Sequence, residues 1–216
     1  MKLAVITDAT AVLSDDLKAN DNLFILDIPI TIDGTSYIEG KNLSLDTFYA
    51  KMKASAELPK TSQPNLADLD DILINLSSNG YTHVIGLFLS SGISGTGNQM
   101  RLFCQTYEKL KCHIVDSQSA SVGLGVIAVS LAKYREEGKS FDELIEIADF
   151  LCHQNYAYFS IDDLNYLQKG GRIGKASAFL GTTLKIKPIL SFEKENGEIY
   201  VPAKVRGSKK VKSKLI

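Results

Sequence analysis

The stretch His83-Val84-Ile85-Gly86-Leu87-Phe88-Leu89, continuing into Ser90-Ser91-Gly92-Ile93-Ser94-Gly95-Thr96-Gly97, decides the architecture. Its first half is a continuous apolar run without polar alternation, which predicts a strand covered on both faces. Its second half is a loop of small residues. From Asn98 to Leu110 the spacing turns helical. Strand, small-residue loop and helix in that order make one unit of an α/β sheet.

The same rhythm extends both ways. Toward the N-terminus, Lys2–Thr7 reads as a strand ending at the turn Asp8-Ala9-Thr10. Phe24–Ile32 is broken by Pro29 into two short strands or an edge strand. Asp33-Gly34 leads to Ser36–Ile38 as a hairpin. Ser44 caps a helix over Leu45–Ser55. Leu58–Asn65, with Pro59 and Pro64, is a loop, and Leu66, Leu69, Leu73 and Leu76 give Leu66–Ser78 one buried helical face. Toward the C-terminus, His113–Asp116 is another buried strand, with helices at Leu124–Glu137 and Phe141–Cys152. After Asn155 the pattern changes. Tyr156–Ile161 reads as a strand, Leu164–Lys169 and Lys175–Thr182 as helices, and Pro188–Phe192 and Glu198–Ala203 as a hairpin around Asn196-Gly197. The expectation is a largely parallel sheet flanked by helices over residues 1–155, and a second, smaller α/β domain over residues 156–216.

Bulk properties exclude several classes. The 216 residues are 44% hydrophobic and 23% charged, with a net charge of −1. That balance suits a globular core and gives no general attraction to nucleic acid or anionic membrane. The six basic residues between Lys204 and Lys214 are a local exception. A nucleic-acid binder using them would need interleaved aromatics, which are missing. No apolar run approaches the ~20 residues of a membrane span. Cys104, Cys112 and Cys152 lack CxxC spacing, and the start at Met1 lacks a secretory pattern, so a soluble cytoplasmic protein with free thiols is expected.

Three segments can carry chemistry. Ser90–Gly97 opens a helix, where free N–H groups and the helix dipole favour an anion. Lys60-Thr61-Ser62-Gln63-Pro64 sets two hydroxyls and an amide in a stiffened loop. Lys169-Gly170-Gly171-Arg172-Ile173-Gly174-Lys175 presents an arginine suited to a carboxylate or phosphate. Sharper motifs fail. Gly92-Ile93-Ser94-Gly95 is followed by Thr96 where a nucleophile elbow needs glycine. His83, His113 and His153 read as structural, His83 and His113 at strand starts. Lys175 is followed by Ala176, so no Walker loop exists. Gly123-Leu124-Gly125-Val126-Ile127-Ala128 fits a dinucleotide fingerprint, but it lies too far from a strand and reads as helix packing. Metal-ligand spacing is absent.

Taken in order, several segments resemble the DegV family. They are Val5-Ile6-Thr7-Asp8, Thr61-Ser62-Gln63-Pro64, Ser90–Thr96, Val115-Asp116-Ser117, Asp162-Asp163-Leu164-Asn165-Tyr166-Leu167-Gln168-Lys169-Gly170-Gly171-Arg172-Ile173, Lys185-Ile186-Lys187-Pro188-Ile189-Leu190 and Lys204-Val205-Arg206-Gly207. The resemblance spans essentially the whole chain. It implies a bacterial two-domain α/β protein, not itself a catalyst, that binds a long-chain fatty acid such as palmitate between its domains. It also implies service as the binding subunit of a fatty acid kinase system, in which a separate kinase phosphorylates the carboxylate for phospholipid synthesis. By similarity Thr61 and Ser94 hold the carboxylate, with Ser62 and the Gly95 N–H nearby, and Arg172 and Arg206 face the kinase or the phosphate. No cofactor is implied beyond the fatty acid. Members usually continue several dozen residues further, so the second domain is expected to be shortened at its C-terminus, without a histidine that the missing part usually brings. Ala9 stands where the family commonly has serine. The competing reading is an enzyme acting on a small phosphorylated or carboxylated metabolite at the same anion site.

Overall fold

A computed structural model describes residues 1–181 and 186–215, without the side chains of 208 and 209. The first half of the chain forms β1 (Leu3–Asp8), α1 (Asp15–Lys18), β2 (Leu23–Leu26), β3 (Ile30–Ile32), β4 (Thr35–Tyr37), α2 (Leu45–Ala54), β5 (Lys60–Thr61), α3 (Leu66–Ser78) and β6 (His83–Phe88). It continues with α4 (Thr96–Gln105), β7 (Lys111–Asp116), α5 (Ser121–Glu136), α6 (Phe141–Gln154) and α7 (Asn165–Lys169). A 3-10 helix (Gly174–Phe179), β8 (Ile186–Phe192), β9 (Ile199–Arg206) and α8 (Ser208–Leu215) follow.

The expected parallel sheet is present, in the order β2-β1-β6-β7 with every pairing parallel. All six residues of β1 are buried, because successive side chains point to opposite faces and both faces are covered. Leu3 and Val5 join Ile85, Leu87 and Val115 against α5 and α6. Ala4 and Ile6 join Val84, Phe88 and Ile114 against α3 and α4. Gly125 lets α5 come close to the loop after β1, since a Cβ there would lie 2.9 Å from the Val12 carbonyl. That accounts for the false dinucleotide fingerprint.

Local signals act as their chemistry requires. Ser44 accepts the Thr47 N–H and starts α2. Ser140 and Glu143 form a reciprocal capping box on α6, and the Glu143 carboxyl is held down to about 2, first by the Ser140 N–H. Asp33 and Gly34 both have positive φ and close the β3–β4 hairpin in two residues.

Some boundaries differ from expectation. The helix expected from Asn98 begins at Thr96 and ends at Gln105, and the strand expected from His113 begins at Lys111, which puts His113 mid-strand. The loop Leu58–Asn65 contains β5, which pairs with β3 and completes a small antiparallel sheet. Tyr156–Ile161 is no strand beyond one bridge, Phe159 to Leu190. Tyr156 and Tyr158 point outward there, and Ala157, Phe159 and Ile161 pack inward. The helix expected over Lys175–Thr182 is a 3-10 helix over Gly174–Phe179, and Thr182 lies outside the described residues. So does Lys185, the first residue of one family segment.

β8 and β9 pair antiparallel, and a third cluster forms under them from Ala176, Leu190, Phe192 and Ile199. Ile93 and Ala120, from loops of the parallel sheet, pack into that cluster and weld the two regions together. Among the described residues no helix is long and apolar enough to cross a membrane.

Leu73 has no exposure and anchors α3 on the sheet. Leu73→Ala is expected to lower unfolding free energy by about 2–5 kcal/mol, read by urea denaturation.

Candidate functional site

The site lies at the carboxyl ends of β1, β6 and β7, where ligands usually bind in open α/β sheets. The loop after β6 turns over and starts α4 at Thr96, with Gly95 as the cap residue. Ser94 Oγ accepts the Thr96 N–H at 3.3 Å and lies 3.0 Å from Thr96 Oγ1. The Gly95 N–H has no hydrogen-bond partner among the described residues. A free N–H at the positive end of a helix, beside a hydroxyl that can still donate, suits an anion.

Two carboxylates hold this loop and its neighbour. Asp8, at the end of β1, has no solvent exposure. It accepts from Leu89 N–H at 2.8 Å, from Thr10 N–H at 2.9 Å and from the Thr10 hydroxyl. Burial pushes its carboxyl up from the ordinary value, and the hydrogen bonds from Thr10 and Leu89 oppose that rise. Asp116, at the end of β7, accepts from the Ser91 N–H, the Ser91 hydroxyl and the Gln118 N–H.

The turn between β8 and β9 braces the loop from the other side. Ser90 Oγ donates to the Gly197 carbonyl at 2.7 Å. Gly92 lies so close that a Cβ would sit 2.3 Å from the Gly197 carbonyl carbon. Gln118, held at positive φ, donates to the Lys194 carbonyl at 2.7 Å. Lys194 Nζ in turn donates to the Cys152 and Asn155 carbonyls at the end of α6, and burial lowers its pKa.

Beside this loop opens a cleft of about 930 Å³, within the range of small-molecule sites. Its polar lining includes Thr10, Thr61, Ser62, Gln63, Ser94 and Gly95. Its apolar lining includes Ile28, Phe48, Met52, Leu58, Ile93 and Leu167. Thr61 and Ser62 are exposed, and their hydroxyls have no protein partner among the described residues. The Gln63 amide rests on Gly95, where a Cβ would meet its Nε2 at 2.1 Å. Arg172 stands at the rim, its Nε donating to the Ile93 carbonyl at 3.2 Å and its Nη1 to the Gly170 carbonyl at 2.5 Å.

Five of the six residues singled out from the sequence thus meet at one cleft: Thr61, Ser62, Ser94, Gly95 and Arg172. Arg206 does not. It is exposed at the end of β9, paired by its backbone with Ile186. None of the three histidines lines the cleft. Two kinds of residue escaped sequence reasoning. Asp8 looked like a turn residue, because its role depends on an N–H 81 positions away. The apolar lining looked like core. One signal was available: Phe48 and Met52 sit one turn apart on α2, a helix with no fully buried residue, so they face a cleft.

A family model described as "Uncharacterised protein, DegV family" matches residues 2–216. The chain belongs to the DegV family. A DegV domain-containing protein of Streptococcus pyogenes is 46% identical over 216 residues, which are all of this chain and 76% of the relative. Two solved DegV structures superpose closely. A fatty acid binding DegV family protein from Streptococcus agalactiae has TM-score 0.92 at 42% identity, and DegV, a fatty acid binding protein from Bacillus subtilis, has 0.89 at 32%. Each comparison covers 100% of this chain and 76% of the other.

Two tests probe how this DegV chain builds its site. Gly92→Ala forces backbone apart and is expected to cost about 1–3 kcal/mol, whereas Gly95→Ala displaces only the end of Gln63 and should stay within about 0.5 kcal/mol; denaturant midpoints separate them. For Asp8, the raised native pKa means the folded state binds more protons than the unfolded one between the two pKa values. Its contribution to stability therefore falls as pH rises from about 4. Asp8→Asn removes that slope, so urea titrations from pH 4 to 8 should show the variant gaining on the wild type as pH rises.

Proposed function

We propose that this protein binds a long-chain fatty acid in the cleft and presents it to a separate fatty acid kinase. In this reading residues 1–155 and 156–216 act as two units with the ligand between them. The hydroxyls of Thr61 and Ser94 hold the carboxylate, and Ser62 and the Gly95 N–H complete the set. One observation carries the reading: the unpaired Thr61 and Ser62 hydroxyls and Gly95 N–H, with the Ser94 hydroxyl that bonds only to Thr96, open into the same cleft as Ile28, Phe48, Met52, Leu58, Ile93 and Leu167. A polar end beside an apolar length is the shape of a fatty acid.

The energetics agree. Each buried methylene contributes ~0.8 kcal/mol, so a 16-carbon chain gives about 10 kcal/mol before association costs. The carboxylate cannot be buried unpaired. Hydroxyls and N–H groups at a helix start pair it without a permanent cation, which leaves an oxygen nucleophilic toward a phosphoryl donor. Arg172, anchored at the rim by two carbonyls, keeps further N–H donors for a phosphate or for the kinase. Arg206 lies outside the cleft and serves this reading only as part of a kinase-facing surface. Catalysis by the protein itself has no support in the cleft, where Ser94 has no histidine beside it.

The test is palmitate binding by calorimetry to the wild type and to the Thr61→Ala/Ser94→Ala double variant. Loss of two hydrogen bonds to a charged group is expected to weaken binding by about 100-fold or more. Unchanged affinity in the double variant would overturn the head-group assignment.

A further inference from the structure

Gln63 lies at the head of the cleft, between two fixed points of the chain. On one side Thr61 pairs with Ile30 in β5, and the Ser62 N–H donates to the Pro29 carbonyl at 3.2 Å. On the other, Pro64 is buried and Asn65 caps α3, accepting the Asp68 N–H at 2.8 Å. The backbone of Gln63 is therefore held, while its side chain is exposed and makes no hydrogen bond among the described residues. The amide lies against Gly95. A Cβ there would collide with Gln63 Nε2, with Cδ at 3.1 Å and Oε1 at 3.6 Å behind it, and the three atoms nearest to that position all belong to Gln63. The backbone gives no other reason for a glycine. Gly95 has φ −85° and ψ −2°, a conformation that L residues adopt in ordinary turns.

We propose that Gln63 is a head-group ligand that selects an ionised acid over a neutral head, and that residue 95 is glycine to admit its amide. The inference rests on the reading of the cleft as a fatty acid site. The Cβ position and the N–H of Gly95 are carried by one Cα, so whatever the N–H grips lies beside the Gln63 amide. Hydroxyls such as those of Thr61, Ser62 and Ser94 both donate and accept, so alone they take an alcohol as readily as an acid. The Gly95 N–H only donates, and Gln63 turns its NH2 end, a second donor, toward the same place. Two donors side by side, neither with a protein acceptor, suit a group rich in lone pairs. An ionised carboxylate offers two oxygens with about four acceptor sites. It satisfies both donors at once, and hydrogen bonds to a charged group are the stronger kind. An alcohol has a single oxygen and no charge, and gains little from the second donor. Because the chain is anchored on both sides of Gln63, only side-chain torsions are ordered when the ligand arrives.

The experiment is calorimetry with laurate and 1-dodecanol on the delipidated wild type, Gln63→Ala, Gly95→Ala and the double variant, beside Thr61→Ala/Ser94→Ala. Loss of one hydrogen bond to a charged group should weaken laurate about tenfold in Gln63→Ala. Dodecanol should change by less than about twofold, so the ratio of acid to alcohol affinity falls about tenfold. Gly95→Ala should show the same acid-selective loss, because its methyl pushes the amide aside, and adding it to Gln63→Ala should cost little more. The Gln63 side chain is exposed, so its removal leaves the fold intact. The inference is overturned if Gln63→Ala binds laurate as tightly as the wild type, if acid and alcohol weaken together, or if the Gln63→Ala and Gly95→Ala losses multiply. Those outcomes leave the fatty acid reading standing when the wild type binds laurate and Thr61→Ala/Ser94→Ala does not. A wild type that takes up neither ligand overturns both.

Discussion

Asp8 sits where β1 leaves the sheet, out of reach of water, and gathers the first N–H beyond β6 together with the turn that follows β1. A buried carboxylate is costly unless its oxygens are filled, so both loops are held where they can fill them. Everything at the head of the cleft depends on this clasp. Leu89 fixes the start of the Ser90–Gly97 loop, that loop sets the cap of α4, and the cap presents Ser94 and the Gly95 N–H. Asp116 repeats the device on the far side of β6, on Ser91 and Gln118. The strands on either side of β6 thus end in acids that bind loop backbone, and neither acid lines the cleft, whose charged lining is Glu57, Lys60, Lys169 and Arg172.

In the proposed reading, a head group held by hydroxyls and a backbone N–H keeps recognition separate from reactivity. A carboxylate gripped by a lysine or arginine has its charge spent on the grip. One held by hydroxyls and backbone dipoles is desolvated and oriented, yet keeps its electron density. The guanidinium nearest the proposed head-group position, Arg172, is tied by two carbonyls at the rim. It is better placed for charge that appears outside the cleft than for charge held within it.

How much of this was legible in the sequence follows the range of the interactions. The parallel sheet was legible, because Val84–Leu89 and Leu3–Thr7 carry their burial in their own composition. The caps at Ser44 and the turn at Asp33-Gly34 were legible for the same local reason. The hydroxyl loops were visible as segments, and the structure brings Thr61, Ser62, Ser94 and Gly95 to one cleft. What stayed hidden is made between distant segments. Tyr156–Ile161 has strand composition, but only Phe159 finds a partner. The 3-10 turn at Gly174–Phe179 bends beneath β9, a packing outcome that no residue of the segment announces. Cleft-lining Phe48 and Met52 have the same chemistry as core residues and differ only in what faces them.

The turn between β8 and β9 has a consequence for how the molecule comes into being. Ser90 and its brace at Gly197 are 107 positions apart. A ribosome adds that length in on the order of ten seconds. For the last part of that interval the parallel sheet can already exist, because its four strands and the helices on both faces are complete at Gln154. The loop that caps α4 would meanwhile lack one of its two supports. The cleft is then finished last, on a scaffold already built, with its mouth the final part to set.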